Sequence, residues 1–313
     1  MKKFRDIVHY MNEVYKDIDI SEDTKFINDR NFYKRKIIVD NKEYNYVDPD
    51  SNCEKLAEDF NEIFFDGKGK VIKERIKLDN WVEYDTQYIV FDDELKLGLD
   101  YIGPSTTSAY YYKCDDAWKK IYNGRVIGGH LVWPIITDSI NKNKAYSGKQ
   151  GFGISDRIDY ALYEIKQYLD KKHNKEIVNS KVLNTNLKNA LERQYFANEQ
   201  FFKMFNYSFK KFCDFFELVG SFVDENYEVI MLDKDYDGDI RDKEYYENYA
   251  KKNIEAIEKR TERILNKINM WSNQNITWPM HLFIIIKYYI IICRKEKYWE
   301  VTYESKSRRY ILW

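Results

Sequence analysis

The pattern of apolar and polar positions changes character near residue 150. Before it, short runs of β-type residues dominate; after it, apolar residues recur at helical spacing. At the start, Phe4, Ile7, Val8, Met11, Val14 and Tyr15 share one face and predict a helix. Tyr33 to Val39 and Tyr44 to Val47 predict two strands, with Asp40-Asn41-Lys42 as the hairpin turn. Ser51 followed by Glu54 has the form of a capping box, so a helix is expected from Ser51, burying Leu56, Phe60, Ile63 and Phe64. Gly67-Lys68-Gly69 reads as a turn, and Val71 to Leu78 and Trp81 to Phe91 as strands. The run Gly124 to Ile136 reads as a buried strand around Gly128-Gly129.

Helices are expected next. Ser155 to Leu169 carries Ile158, Leu162, Ile165 and Leu169 at helical spacing, and Phe201 to Phe216 reads as a core helix. Lys243 to Trp271 predicts a long charged helix with Ile254, Ile257, Ile264, Leu265 and Ile268 as its apolar stripe. The charges between them, Arg260 included, read as a solvated face with i,i+4 pairs. Trp299 to Trp313 alternates and predicts a final strand. Strands followed by helices indicate the α+β class, a strand-rich N-terminal half with a helix-rich C-terminal half packed on it. The expected divisions are an α/β subdomain over 1–94, a core domain over 95–270 and an aromatic extension over 271–313.

Composition sharpens this picture in three ways. Aromatic residues make up 17% of the 313 positions, with 28 Tyr and 18 Phe, so rings should build the core and a contact surface as well. The 51 basic and 52 acidic side chains nearly cancel, so a nucleic-acid partner would need a local basic patch. Cys53, Cys114, Cys213 and Cys293 form no CxxC pair, which argues against a zinc site or a disulfide framework and fits a reducing compartment. Met1 to Asp6 leads into no signal-peptide core, so a cytoplasmic location is expected. Ile276 to Cys293 is apolar but holds Lys287, which favours a buried strand or core helix over a membrane span.

Three ordered motifs stand together: Gly128-Gly129-His130-Leu131-Val132-Trp133-Pro134, Ser139-Ile140-Asn141, and Ile154-Ser155-Asp156-Arg157-Ile158-Asp159. Phe215-Phe216-Glu217-Leu218, Gly220-Ser221-Phe222 and the stretch from Ala256 to Ile264 follow them. In this order they resemble an uncharacterised family of bacterial and prophage proteins, over roughly residues 95 to 268. That family's pattern has an Arg-Gly pair after the Asn segment; here Lys142 to Gly153 is a longer loop without it, and Ile158 stands where the family has Phe. The resemblance implies kinship of fold and a phage-leaning origin, and no reaction.

The sharpest chemical pattern is Asp233-Lys234-Asp235-Tyr236-Asp237-Gly238-Asp239-Ile240-Arg241-Asp242-Lys243-Glu244. It matches the calcium-loop spacing, with Asp233, Asp235 and Asp237 supplying carboxylates, Asp239 a carbonyl, and Glu244 closing the site with two oxygens. An acidic strand-to-helix connection whose carboxylates cap the next helix accounts for the same residues. A second constellation joins Ser139 and Asn141 to Asp156, Arg157 and Asp159; it would suit an anion or nucleotide, or serve as a capping and ion-pair cluster. His130 is placed for a catalytic base or for a half-buried strand histidine. No HExxH, Walker, Rossmann, kinase or serine-elbow pattern occurs.

Two function classes follow. One is a non-catalytic binding or regulatory protein, an inhibitor or sensor in phage–host conflict that acts by contact with a protein partner or by self-association. The other is an enzyme acting on a nucleotide or phosphoester at an Asn141, Asp156 and Arg157 pocket.

Overall fold

A computed structural model describes residues 6–78, 82–92, 95–134, 157–173, 200–230, 243–273, 301–305 and 308–312. The chain divides into two compact units, Met1–Asn269 and Met270–Trp313.

The first unit opens with a short helix, α1 (Tyr10–Val14), which buries Tyr10 and Met11. The predicted helix is confined to this turn and a half, and Ile7 stays exposed. Three strands follow, β1 (Lys25–Ile27), β2 (Lys36–Val39) and β3 (Lys42–Asn45), in an antiparallel sheet of that order. Val39 pairs with Lys42, which leaves a two-residue loop of Asp40 and Asn41. Both have positive φ, 51° and 60°, as the primed hairpin turns require. Phe26, Ile37 and Tyr44 line up across the sheet and face a small core with Met11, Tyr15 and Trp118.

The capping box is not used. Asp48 precedes a one-turn helix, α2 (Pro49–Asn52), and Cys53 separates it from α3 (Glu54–Phe65). Pro49 at the first helical position, with its φ already helical, starts the helix before Ser51 is reached. Within α3, Leu56, Phe60 and Phe64 are buried as expected. An antiparallel four-stranded sheet then forms from β4 (Lys70–Leu78), β5 (Val82–Val90), β6 (Lys96–Tyr101) and β7 (His130–Pro134) in sequence order.

Two short helices, α4 (Thr106–Tyr111) and α5 (Ala117–Gly124), bridge β6 and β7. Ser105 caps α4, its hydroxyl accepting from the Ser108 N–H. Gly128 and Gly129 lie in a tight 3-10 turn before β7, not within a strand as their apolar neighbours suggest. After α6 (Ile158–His173), the phenylalanine-rich stretch is broken in two. Asn206 and Tyr207 adopt left-handed φ of 52° and 55°, and Ser208 then caps α7 (Phe209–Phe215) by accepting from the Lys211 N–H. Phe201, Phe202, Phe205, Phe209, Phe212 and Phe216 are nonetheless all buried in one core with α3.

The long helix α8 (Lys243–Asn273) organises the first unit. Of its predicted stripe, Ile254, Ile257, Ile264 and Ile268 are buried and Leu265 is half-buried. Polar side chains run beside it. Tyr246, Asn253 and Arg260 recur every seven residues, which stacks them on one line of the helix. Tyr246 Oη donates to the Ser105 carbonyl at 3.0 Å, and Asn253 Nδ2 to that of Ile102 at 3.2 Å. Arg260 donates to the carbonyls of Phe216, Gly128 and His130 at 2.9, 2.7 and 2.8 Å. Arg260 is thus 0% exposed and belongs to the core, contrary to the solvated face its charged neighbours predict.

This seam explains the Gly-Gly pair. A Cβ on Gly128 would lie 2.6 Å from the Ile257 carbonyl oxygen, and one on Gly129 1.8 Å from that of Gly124. Only glycine lets the turn approach α8 and α5 so closely. The architecture is therefore α+β, with antiparallel sheets early in the chain and helices, above all α8, later.

In the second unit, the single strand expected from Trp299 onward is a two-stranded antiparallel hairpin, β8 (Val301–Ser305) and β9 (Arg308–Leu312). Among the described residues no helix is long and apolar enough to cross a membrane.

Candidate functional site

Three buried polar assemblies and one exposed face carry the chemistry of the first unit. At the N-terminus of α6, Arg157 and Asp159 are both 0% exposed and form a two-point pair, Nε to Oδ1 at 2.8 Å and Nη2 to Oδ2 at 2.5 Å. Arg157 Nη1 donates to Tyr245 Oη at 3.0 Å, and the guanidinium lies 4.4 Å from the centre of the Tyr249 ring. Burial opposes its charge, but Asp159 outweighs it and raises the Arg157 pKa. This pair joins the start of α6 to the first turns of α8. Ser139, Asn141 and Asp156, the other members of the expected anion site, lie outside the described residues.

The second assembly centres on Arg125, at the end of α5. Its guanidinium reaches Asp50 at 3.0 Å, Asp48 at 2.5 Å and Tyr46 Oη at 3.0 Å, and stacks 3.7 Å over Tyr101. Burial works against this charge, yet Tyr46 and the two carboxylates hold its pKa above the usual arginine value. His130 comes third. It is fully buried rather than half-buried, and its Nδ1 lies 2.8 Å from the Val126 carbonyl. Burial and the neighbouring Arg125 push its pKa down to about 3, so the ring is neutral at physiological pH.

A cleft of about 500 Å³ lies between α5 and α8. Lys119, Lys120, Lys251, Glu255 and Glu258 are among its lining residues; Arg157, Asp159 and His130 are not. Part of this charge is already matched, since Lys120 pairs with Asp116 at 2.7 Å and Lys119 with Glu22 at 3.3 Å.

The exposed face is built where β1 and the segment after it meet α4. Asn28 Nδ2 donates to the Thr106 carbonyl at 2.9 Å, and Arg35 donates to the hydroxyls of Thr106 and Thr107. These bonds bring Ile27 and Tyr33 beside the helix that carries Tyr110 and Tyr111. Ile27 is 40% exposed, Tyr33 54%, Tyr110 38% and Tyr111 54%. The last two rings meet edge-on, with centroids 5.6 Å apart and planes at 73°. In the sequence, the signal of this face is the run Tyr110-Tyr111-Tyr112. Three successive rings sweep roughly 200° of a helix, so they cannot all be buried against one neighbour.

Of the expected calcium ligands, Asp233, Asp235, Asp237 and Asp239 lie outside the described residues. Glu244 stands in the first turn of α8 with its side chain exposed.

A family model described as a family of unknown function (DUF6994) matches residues 23–264. The chain belongs to that family. The DUF6994 match starts well before residue 95, where the sequence resemblance begins, and so takes in the first sheet, α3 and the α4 face. No curated protein and no solved structure matches the chain.

Proposed function

We propose that this DUF6994 protein is a non-catalytic binding protein that acts by protein–protein contact through the face formed by Ile27, Tyr33, Tyr110 and Tyr111. The observation that carries this reading is that four large apolar side chains lie exposed around one junction of the fold. Solvent-facing rings gathered in one place mark contact sites, because each ring can bury a large area while keeping a polar tip wet. Tyrosine is also among the residues that dominate binding energy at protein interfaces. A role as inhibitor or sensor in phage–host conflict is supported by the sequence resemblance alone.

Affinity capture from cells tests the reading. The wild-type chain should recover a protein whose yield falls at least about tenfold with Tyr110→Ser/Tyr111→Ser, a loss of more than about 1.4 kcal/mol of binding. Equal recovery by both chains, with both folded, contradicts it. The spacing of Asp233, Asp235, Asp237 and Glu244 separately supports a structural calcium loop. Calorimetry should give a binding heat for the wild-type chain that Asp235→Ala abolishes; equal heats would remove the loop from the account.

A further inference from the structure

We draw no further inference here: the strongest candidate, the apolar face of Ile27, Tyr33, Tyr110 and Tyr111 beside α4, belongs to the site already described, and because exposed Glu22, Asp23, Asp115 and Asp116 offset exposed Lys25, Arg30, Lys34 and Lys113 around it, nothing in the structure shows what covers it.

Discussion

The seam along α8 and the face around α4 use the same residue types to opposite ends. In the seam, Tyr246 and Arg260 are buried, and each donates to carbonyls the chain itself supplies. On the face, Tyr110, Tyr111 and Arg30 are left to solvent. A buried guanidinium or phenol is costly unless acceptors surround it; Arg260 Nε and Nη1 find three carbonyls while Nη2 finds none among the described residues, and these bonds tie the loops the seam touches, including the Gly-Gly turn. An exposed ring has no such constraint and is available to another molecule. The difference teaches that polar residues inside this protein hold its architecture, and that the face proposed here for binding lies where rings reach solvent.

The largest expected effect tests the interior side of that contrast. Asp159→Asn leaves the Arg157 charge buried beside a neutral amide and should cost about 3–5 kcal/mol in urea unfolding. A loss below about 1 kcal/mol would mean that water reaches Arg157, and would restore it as a ligand for an anion. Next, Gly128→Ala should destabilise by about 1–3 kcal/mol, because the added methyl meets backbone of α8 that cannot rotate away. An unchanged midpoint would show that the turn does not pack as tightly as described.

His130 supplies a pH-dependent test. Its folded pKa, about 3, lies below the ordinary value of 6.5. The unfolded chain therefore binds the extra proton first as pH falls. The neutral ring's contribution is complete above about pH 6.5 and declines toward pH 3, by about 1.4 kcal/mol per pH unit. Unfolding free energies of wild type and His130→Gln, measured from pH 7 to 4, should diverge in slope by that amount; parallel curves would place the imidazole in contact with water. The smallest expected effect is on the exposed side. Tyr110→Ser/Tyr111→Ser should shift stability by no more than about 0.5 kcal/mol while abolishing partner recovery. A cost above about 2 kcal/mol would make those rings structural.

Much of the frame was legible in the sequence wherever local physics decides. Asp40-Asn41 turns the hairpin because both residues tolerate positive φ, β4 and β5 follow their β-branched runs, and the Ile254 to Ile268 stripe marks the buried side of α8. Elsewhere a competing local signal or a distant contact prevailed. Pro49 started a helix before Ser51 could cap one, and the left-handed Asn206 and Tyr207 divided a helix that apolar spacing alone would join. Arg260 looks like any surface charge until the carbonyls of Gly128, His130 and Phe216 gather around it. The same limit applied to the candidate site. Arg157 and Asp159 could be singled out by residue type, but that they face each other in the core is a property of the assembled fold. Tyr110 and Tyr111 are not legible as a face from sequence alone, because the β1 segment that packs against α4 is distant in the chain.

The central claim, that the α4 face is where this protein meets its partner, is tested most directly by placing a photoreactive benzoylphenylalanine at Tyr111, with Met204, also exposed, as the control. After irradiation in cells expressing the chain, the Tyr111 position should yield a discrete cross-linked protein that the Met204 position does not. Equal adducts at both sites, or none at Tyr111, would contradict it.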